Sequence, residues 1–423
     1  MRWTSAAGRG LLVLTLLLMV TVASSATGQS TRGAGRGPVT LATAGDLTGY
    51  LGPLLDGWNR GRPDERVRLV ELPDSADETR AQMITDLRSG QGRFDVLNID
   101  VAWTSEFAAA GWITPLERRR FELEAFLPPV VETATYRGGL YAVPYVTNAG
   151  MLFYRKDVLD AAGESPPRTW AELERQARTL APAAGLAGYA GQFLPYEGLT
   201  VNATEAIYSA GGSVLREESG RVAVDSAAAR AGVDFLAGGV RRGWIPREAL
   251  SYTEEESRQA FQDGRLLFLR NWPYAWAGAS SSASKVAGRF EAVPLPGATG
   301  AGTSVLGGSN LAVSSRARHP QTAADLIAYL TSEGAQRRVL TQGALPPVRA
   351  DLYEDSALVA RYPYLPALRE SVLASRPRPK SRRYEQVSLV IQAAMHDALA
   401  QRQTPAATVR RLGRELDAVA RTG

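Results

Sequence analysis

Two groups of residues in this sequence invite chemistry. The first is a set of carboxylates, Asp46, Asp100, Glu197 and Asp263, at or near the ends of predicted elements. Two carboxyls at a fixed separation, one with a raised pKa, hydrolyse glycosidic bonds, whereas carboxylates that only accept hydrogen bonds hold hydroxylated ligands. The second is the stretch FLRNWPYAW, residues 268–276, which sets four aromatic rings beside an arginine, an asparagine and a proline. A buried strand avoids proline in its middle, because proline cannot donate to the ladder. Other chemistries are poorly supplied. The only histidines, His319 and His396, lie far apart, there is no cysteine, and neither a metal-ligand motif nor a G-x-S-x-G elbow occurs. Neither metal nor cofactor is expected.

These residues need a scaffold, and the pattern of the chain supplies one. From Val39 the segments VTLAT, RVRLVEL and FDVLNID read as strands, separated by the helical stretches DLTGYLGPLLDGWNR and DETRAQMITDLRSG. Strands alternating with amphipathic helices imply βαβ units and an α/β fold built on mixed, mainly parallel sheets. Ligands in such sheets bind beyond the carboxyl ends of the strands. Asp46 follows the first strand and Asp100 ends the third, so both should project to one edge, with helix capping as the other role open to each. Further on, YAVPY and GMLFYR read as chain crossing between two lobes, with Asn148 at the crossing. Thr169 is placed to cap a helix that Trp170 anchors in the core, and Pro320 and Pro405 open two later helices. Asn202 heads an N-x-T glycosylation pattern.

A chain of 423 residues with 45% hydrophobic and 22% charged residues is an ordinary globular protein of two or more domains. Its first 26 residues carry arginines, an apolar run from Leu11 to Val22 and small residues up to Ala26, the layout of a secretory signal, with an uncleaved anchor as the alternative. Residues 27–37 read as a flexible spacer. The net charge is +5, but of 48 basic residues only Lys156, Lys285 and Lys380 are lysine, and they are scattered. The basic residues are spread along the chain and the arginine bias reads as coding composition, so a nucleic-acid surface is not expected.

The order of these segments resembles the extracellular solute-binding proteins of carbohydrate ABC importers, the maltose/trehalose-binding branch in particular. The stretches that carry it include DVLNIDVAWTSEFAAAGWITPL, GGLYAVPYVTNAGMLFYRKDVLDAAG, YEGLTVNATEAIYSAGG, FQDGRLLFLRNWPYAW and LGGSNLAV. The resemblance implies a two-lobe, type II periplasmic-binding-protein-like α/β fold with hinge strands between the lobes. Residues 38–145 plus 292–345 would form one lobe and 146–291 plus 346–423 the other. It also implies a sugar site in which Trp272, with Tyr274 nearby, stacks on the ligand, Trp276 being a core aromatic. Asp100, Asn148, Glu197 and Arg378, or Arg383 in the same basic run, would hold hydroxyls, joined by Asp46 from the strand-end reading, and Gly307 and Gly308 would let backbone approach. Ser309 stands where many relatives carry an aromatic.

The implied function is a non-catalytic, exported receptor, periplasmic or at the cell surface. It would be a monomer that closes on an oligosaccharide, an α-glucoside such as trehalose or maltose, and docks on ABC permease subunits, touching the membrane only through its N-terminal segment or the permease. A secreted glycosidase using a carboxylate pair in the same cleft is the alternative, and phosphorylated or peptide ligands are a third.

Overall fold

The computed structural model describes residues 35–46, 48–216 and 220–421. The expected signal or anchor, 1–26, and most of the spacer lie outside the described residues. The end of that spacer is tied down: Arg36 pairs with Glu65 and Asp325 at 2.9 Å each, and the Gly37 amide donates to Thr322 Oγ1.

Eleven strands follow in the described chain: β1 (Val39–Ala44), β2 (Val67–Leu72), β3 (Val96–Asp100), β4 (Thr135–Tyr136), β5 (Gly139–Leu140), β6 (Val143–Ala149), β7 (Met151–Arg155), β8 (Ala187–Ala190), β9 (Leu266–Asn271), β10 (Phe290–Pro294) and β11 (Leu306–Val313). They form a five-stranded sheet in the order β2-β1-β3-β11-β6, a four-stranded sheet in the order β10-β7-β9-β8, and the small hairpin β4-β5. Strand β1, VTLATA, is almost all buried, its two threonines included, because it lies between parallel β2 and β3 with both faces covered. Both sheets are mixed. Parallel pairing joins β1 to β2 and β3 and β8 to β9, whereas the strands flanking each crossing, β6, β7, β10 and β11, make the antiparallel pairs.

The chain leaves the first sheet at β6 and enters the second at β7, so the crossover is Gly150 alone, and the expected lobe boundary at 145/146 falls inside β6. It returns between β10 and β11. Residues 346–349 stay beside the first sheet, where Thr147 N donates to the Pro346 carbonyl and Arg349 bridges to Phe126. The helices Tyr384–Leu399 and Pro405–Arg421 pack against helices Glu197–Ser209 and Ala227–Arg241 beside the second sheet.

Local sequence explains the helix starts. Thr169 and Glu172 form a reciprocal capping box, and Trp170 stacks on Phe235 with ring centroids 4.3 Å apart. Asn202, by contrast, is buried within its helix, where its amide donates to Gln192 and the Gly198 carbonyl, so that pattern presents no acceptor for a glycan. Among the described residues no helix is long and apolar enough to cross a membrane.

Candidate functional site

Strand β11 brings the expected residues together. Its Ser309 lies opposite Asp100 of β3, and its Gly307 lies opposite Asn148 of β6, so both polar residues sit at one end of one sheet. Gly308 has φ +108°, and a Cβ there would lie 2.0 Å from the Val146 carbonyl oxygen. The pairing with β6 then shifts at Ser309/Asn310. We expect Gly308→Ala to cost about 3 kcal/mol, from strained backbone and a backbone clash together, measured by denaturant unfolding. A loss within error of zero would mean the strand relaxes freely.

Trp272 arrives from the other sheet. The FLRNWPYAW stretch is divided: Phe268, Leu269, Arg270 and Asn271 are fully buried strand, and the chain turns out of β9 at Trp272-Pro273. Proline sits where the ladder ends, so it interrupts nothing. Asn271 fixes the turn, its Oδ1 accepting from Trp272 N at 2.7 Å and its Nδ2 donating to the Glu254 carbonyl. The half-buried indole lies against the Gly307 backbone: a Cβ at Gly307 would meet the ring at 2.9 Å and the Asn148 Cβ at 3.3 Å. Only glycine lets the two sheets meet this closely here. Trp272 Nε1 donates to Glu254 at 3.4 Å, and Tyr274 donates to Glu255 at 2.6 Å. Trp276 packs on Phe290 and Tyr364, the core position expected of it.

The carboxylates separate into two kinds. Asp46 spends its oxygens on the amides of Thr48, Gly49 and Leu51, a cap on the helix Leu51–Gly61. Asp263 lies at the C-terminal end of the helix Glu254–Gln262, half-buried beside Gln259 and Arg265. Asp100 and Glu197, in contrast, converge on one guanidinium. Arg378 donates through Nη1 to Glu197 Oε1 at 2.6 Å and through Nη2 to Asp100 Oδ1. Asp100 also caps the turn Val101–Trp103 through the Ala102 amide at 2.8 Å, so it serves as cap and site residue at once. Of the two arginines offered by the sequence, it is Arg378, buried, that bridges the two carboxylates.

Glu197 opens the helix Glu197–Ser209, fully enclosed, and accepts further hydrogen bonds from Tyr384 and from Ser388 Oγ at 2.6 Å. Burial pushes its carboxyl above the ordinary range, and Arg378, Ser388 and Tyr384 restrain that rise. Burial works against the charge on Arg378, but Asp100, Tyr384 and Glu197 outweigh it and hold the guanidinium well above its usual value. The Arg378–Asp100 pair ties the end of a strand in the first sheet to the segment leading into helices of the second. A second tie is Arg80, which pairs with Glu106 at 2.6 Å on its own side and with Glu385 at 3.0 Å across the gap.

Some of the protein's buried polar atoms without partners lie in this region. Asn148 Oδ1, Thr147 Oγ1 and Arg378 Nε each lack a hydrogen bond, and such atoms cost free energy unless a ligand or water meets them. Behind the indole sits a network the motifs did not single out: Arg270, its guanidinium 4.0 Å from the Trp272 ring centre, is held bidentately by Glu205 at 2.7 Å and by Gln192 at 3.0 Å. Ser304 Oγ donates to Glu205 and accepts from the Gly150 amide at 2.6 Å, so both crossings between the sheets touch this pair. An arginine inside an apolar strand, and a glutamate within the apolar helix GLTVNATEAIYSA, were the available signals, since buried charges come paired. Tyr384 and Ser388, one helical turn apart, were a weaker one. Among the described residues no group of three or more His, Asp or Glu side chains is arranged to hold a metal ion.

Residues 44–337 match the family described as bacterial extracellular solute-binding protein. The chain is also 32% identical over 371 residues to a probable ABC transporter-binding protein of Deinococcus radiodurans, covering 85% of this chain and 88% of that one. It belongs to the bacterial extracellular solute-binding proteins. Among solved structures, this solute-binding protein is similar to the maltose-bound MalE3 of T. maritima, with a TM-score of 0.85 and 34% identity over 90% of this chain and 99% of the other. The GacH receptor of Streptomyces glaucescens shares the fold, with a TM-score of 0.80 at 23% identity over 91% of this chain and 98% of the other. The architecture is thus the mixed α/β, periplasmic-binding-protein-like one.

Proposed function

We propose that this solute-binding protein captures an oligosaccharide, an α-linked glucose disaccharide such as maltose or trehalose, in the gap between its two sheets. It then delivers the sugar to the permease subunits of an ABC importer. The observation that carries the reading is the placement of Trp272 from the second sheet against Gly307 and Asn148 of the first, with β11 continuing to Asp100 and its Arg378 partner. A sugar offers apolar C–H faces and a ring of hydroxyls; an indole face, an unpartnered amide oxygen and a charged pair suit both. The 34% identity to a maltose-bound protein supports the choice of ligand class.

In this reading Trp272 stacks on one ring, Tyr274 borders it, Asn148, Asp100 and Arg378 meet hydroxyls, and the enclosed Glu197 holds Arg378 in place, while Gly307 and Gly308 let backbone come close. Asp46 acts indirectly, by fixing the turn after β1. Ser309 supplies no aromatic face, so stacking falls on Trp272 alone among the expected residues. The two lobes are the units built on the two sheets, hinged at Gly150 and between β10 and β11, and the protein works outside the cytoplasm as a monomer.

Calorimetry against a panel of neutral sugars tests the reading, with heat expected from an α-glucoside disaccharide; silence toward every sugar would defeat it. Trp272→Ala should weaken that binding by about 2 kcal/mol, roughly 30-fold, through lost stacking area. An unchanged affinity would remove Trp272 from the site.

Hydrolysis is not expected. Asp100 and Glu197 share one guanidinium that lies between them, where a glycosidase would need the anomeric carbon and its leaving group. Incubation with maltose and trehalose should return both sugars intact, and release of glucose by the purified protein would reverse this assignment.

A further inference from the structure

A cavity of about 770 Å³ opens beside the Arg378 loop, and none of the expected site residues lines it. Its walls come from both ends of the Asp100–Arg378 tie. Ser105 lies on the helix Thr104–Ala109, directly after the turn that Asp100 caps, and Lys380 follows Arg378 by two residues. The volume is that of a small-molecule site.

Its charge is one-sided. Arg118, Arg137, Lys380 and Arg382 line it, against the single carboxylate of Glu132. Among the described residues these four cations make no ion pair, so their charge is not neutralised within the groove. Within one turn, Arg119 pairs with Glu117 and Arg120 with Asp325, while the adjacent Arg118 lines the cavity without an ion pair. A concave surface lined by one sign of charge concentrates the opposite ion, and guanidinium groups match the two oxygens of a carboxylate or phosphate. The rest of the lining is not that of a bare anion site. The half-buried Tyr136 ring, the apolar edge of Pro128 and Val131, and the hydroxyls of Thr135 and Ser381 are what a sugar ring requires.

We propose that this groove binds the oxyanion of an acidic saccharide, a carboxylate or phosphate carried on a sugar. The inference rests on the oligosaccharide reading for the sugar part and on the four unpaired cations for the anion. Bound there, the acidic group would contact Arg118 and Arg137 from the first unit and Lys380 and Arg382 from the loop leading to the second.

Calorimetry with four probes tests it: maltose, digalacturonate, trehalose 6-phosphate and inorganic phosphate, each with wild type and with the double variant Arg137→Ala/Arg382→Ala. An acidic sugar should bind about 10-fold or more tightly than the neutral one, as charge-assisted contacts allow. The advantage should vanish in the variant and shrink in about 0.5 M salt, where such interactions are screened. Both side chains are exposed, so the variant should keep the wild-type thermal midpoint and its affinity for maltose. Equal affinity for neutral and acidic sugars would overturn the groove assignment and leave the neutral receptor standing. Inorganic phosphate binding as tightly as the sugar phosphate would overturn the saccharide part. Silence toward all the sugars would defeat this inference together with the oligosaccharide reading.

Discussion

Arg378→Ala should abolish measurable sugar binding and cost about 3 kcal/mol or more of stability, the magnitude typical of removing one partner from a buried ion pair. The side chain is 3% exposed and its partner Glu197 9%, so solvent screens little of the effect. The loss comes chiefly from Glu197, which would remain enclosed with only Tyr384 and Ser388 as donors. Arg378→Lys should rescue poorly, because one ammonium on a flexible stem does not span both carboxylates as the planar guanidinium does.

The same variant carries a pH signature. The Glu197 carboxyl is already raised in the folded protein by burial, with Arg378 restraining it. Without Arg378 it should rise further above its unfolded value. A carboxyl whose folded pKa exceeds the unfolded one binds more protons in the native state, so stability grows as pH falls through that window. The deficit of Arg378→Ala relative to wild type should therefore be largest near neutrality and shrink toward pH 4. Denaturant unfolding across that range checks it, and a pH-independent deficit would place the cost elsewhere.

Glu205→Ala should be comparably severe, about 3 to 5 kcal/mol, since it strands the Arg270 guanidinium in a fully buried site. Burial opposes the charge on Arg270 and Glu205 offsets it, so the fold depends on the pair staying intact. The effect should reach the ligand. Arg270 backs the Trp272 ring, and Ser304 links Glu205 to the Gly150 crossing, so the variant should loosen both the indole and the hinge. We expect the tryptophan fluorescence change on sugar binding to be blunted as well as the unfolding midpoint lowered. Gly150→Ala offers an independent approach to the same pair, because its Cβ would lie 2.5 Å from Glu205 and 2.6 Å from Arg270. Stability within about 1 kcal/mol of wild type for Glu205→Ala would mean that water compensates the stranded charge.

Much of the framework was legible. Alternating apolar strands and amphipathic helices placed β1, β2 and β3 and the ends at which Asp46 and Asp100 fall, because periodicity is a local property of the chain. Thr169, Pro320 and Pro405 announced their helices for the same reason. Where pattern and structure diverge, the cause is long-range. Asp46 and Asp100 look alike as aspartates after strands, yet the first is consumed by three amides of its own turn and the second has an oxygen for Arg378, which is 278 residues away in sequence. The crossing near Asn148 was visible as a punctuated strand pair, but its place at Gly150 depends on what β6 pairs with.

The amino-acid sequence by itself determined the α/β character and the residue types offered to a ligand, since each follows from local pattern or from motifs in a fixed order. Tertiary structure alone decided which charges are neutralised by one another and which are left facing space. The Arg270–Glu205 pair, the Asp100–Arg378–Glu197 bridge and the four unpaired cations of the groove are all arrangements between distant segments. A side chain's charge is written in the sequence, but its partner is chosen by packing, and an ion's energy in a protein depends on the partner and the water left around it.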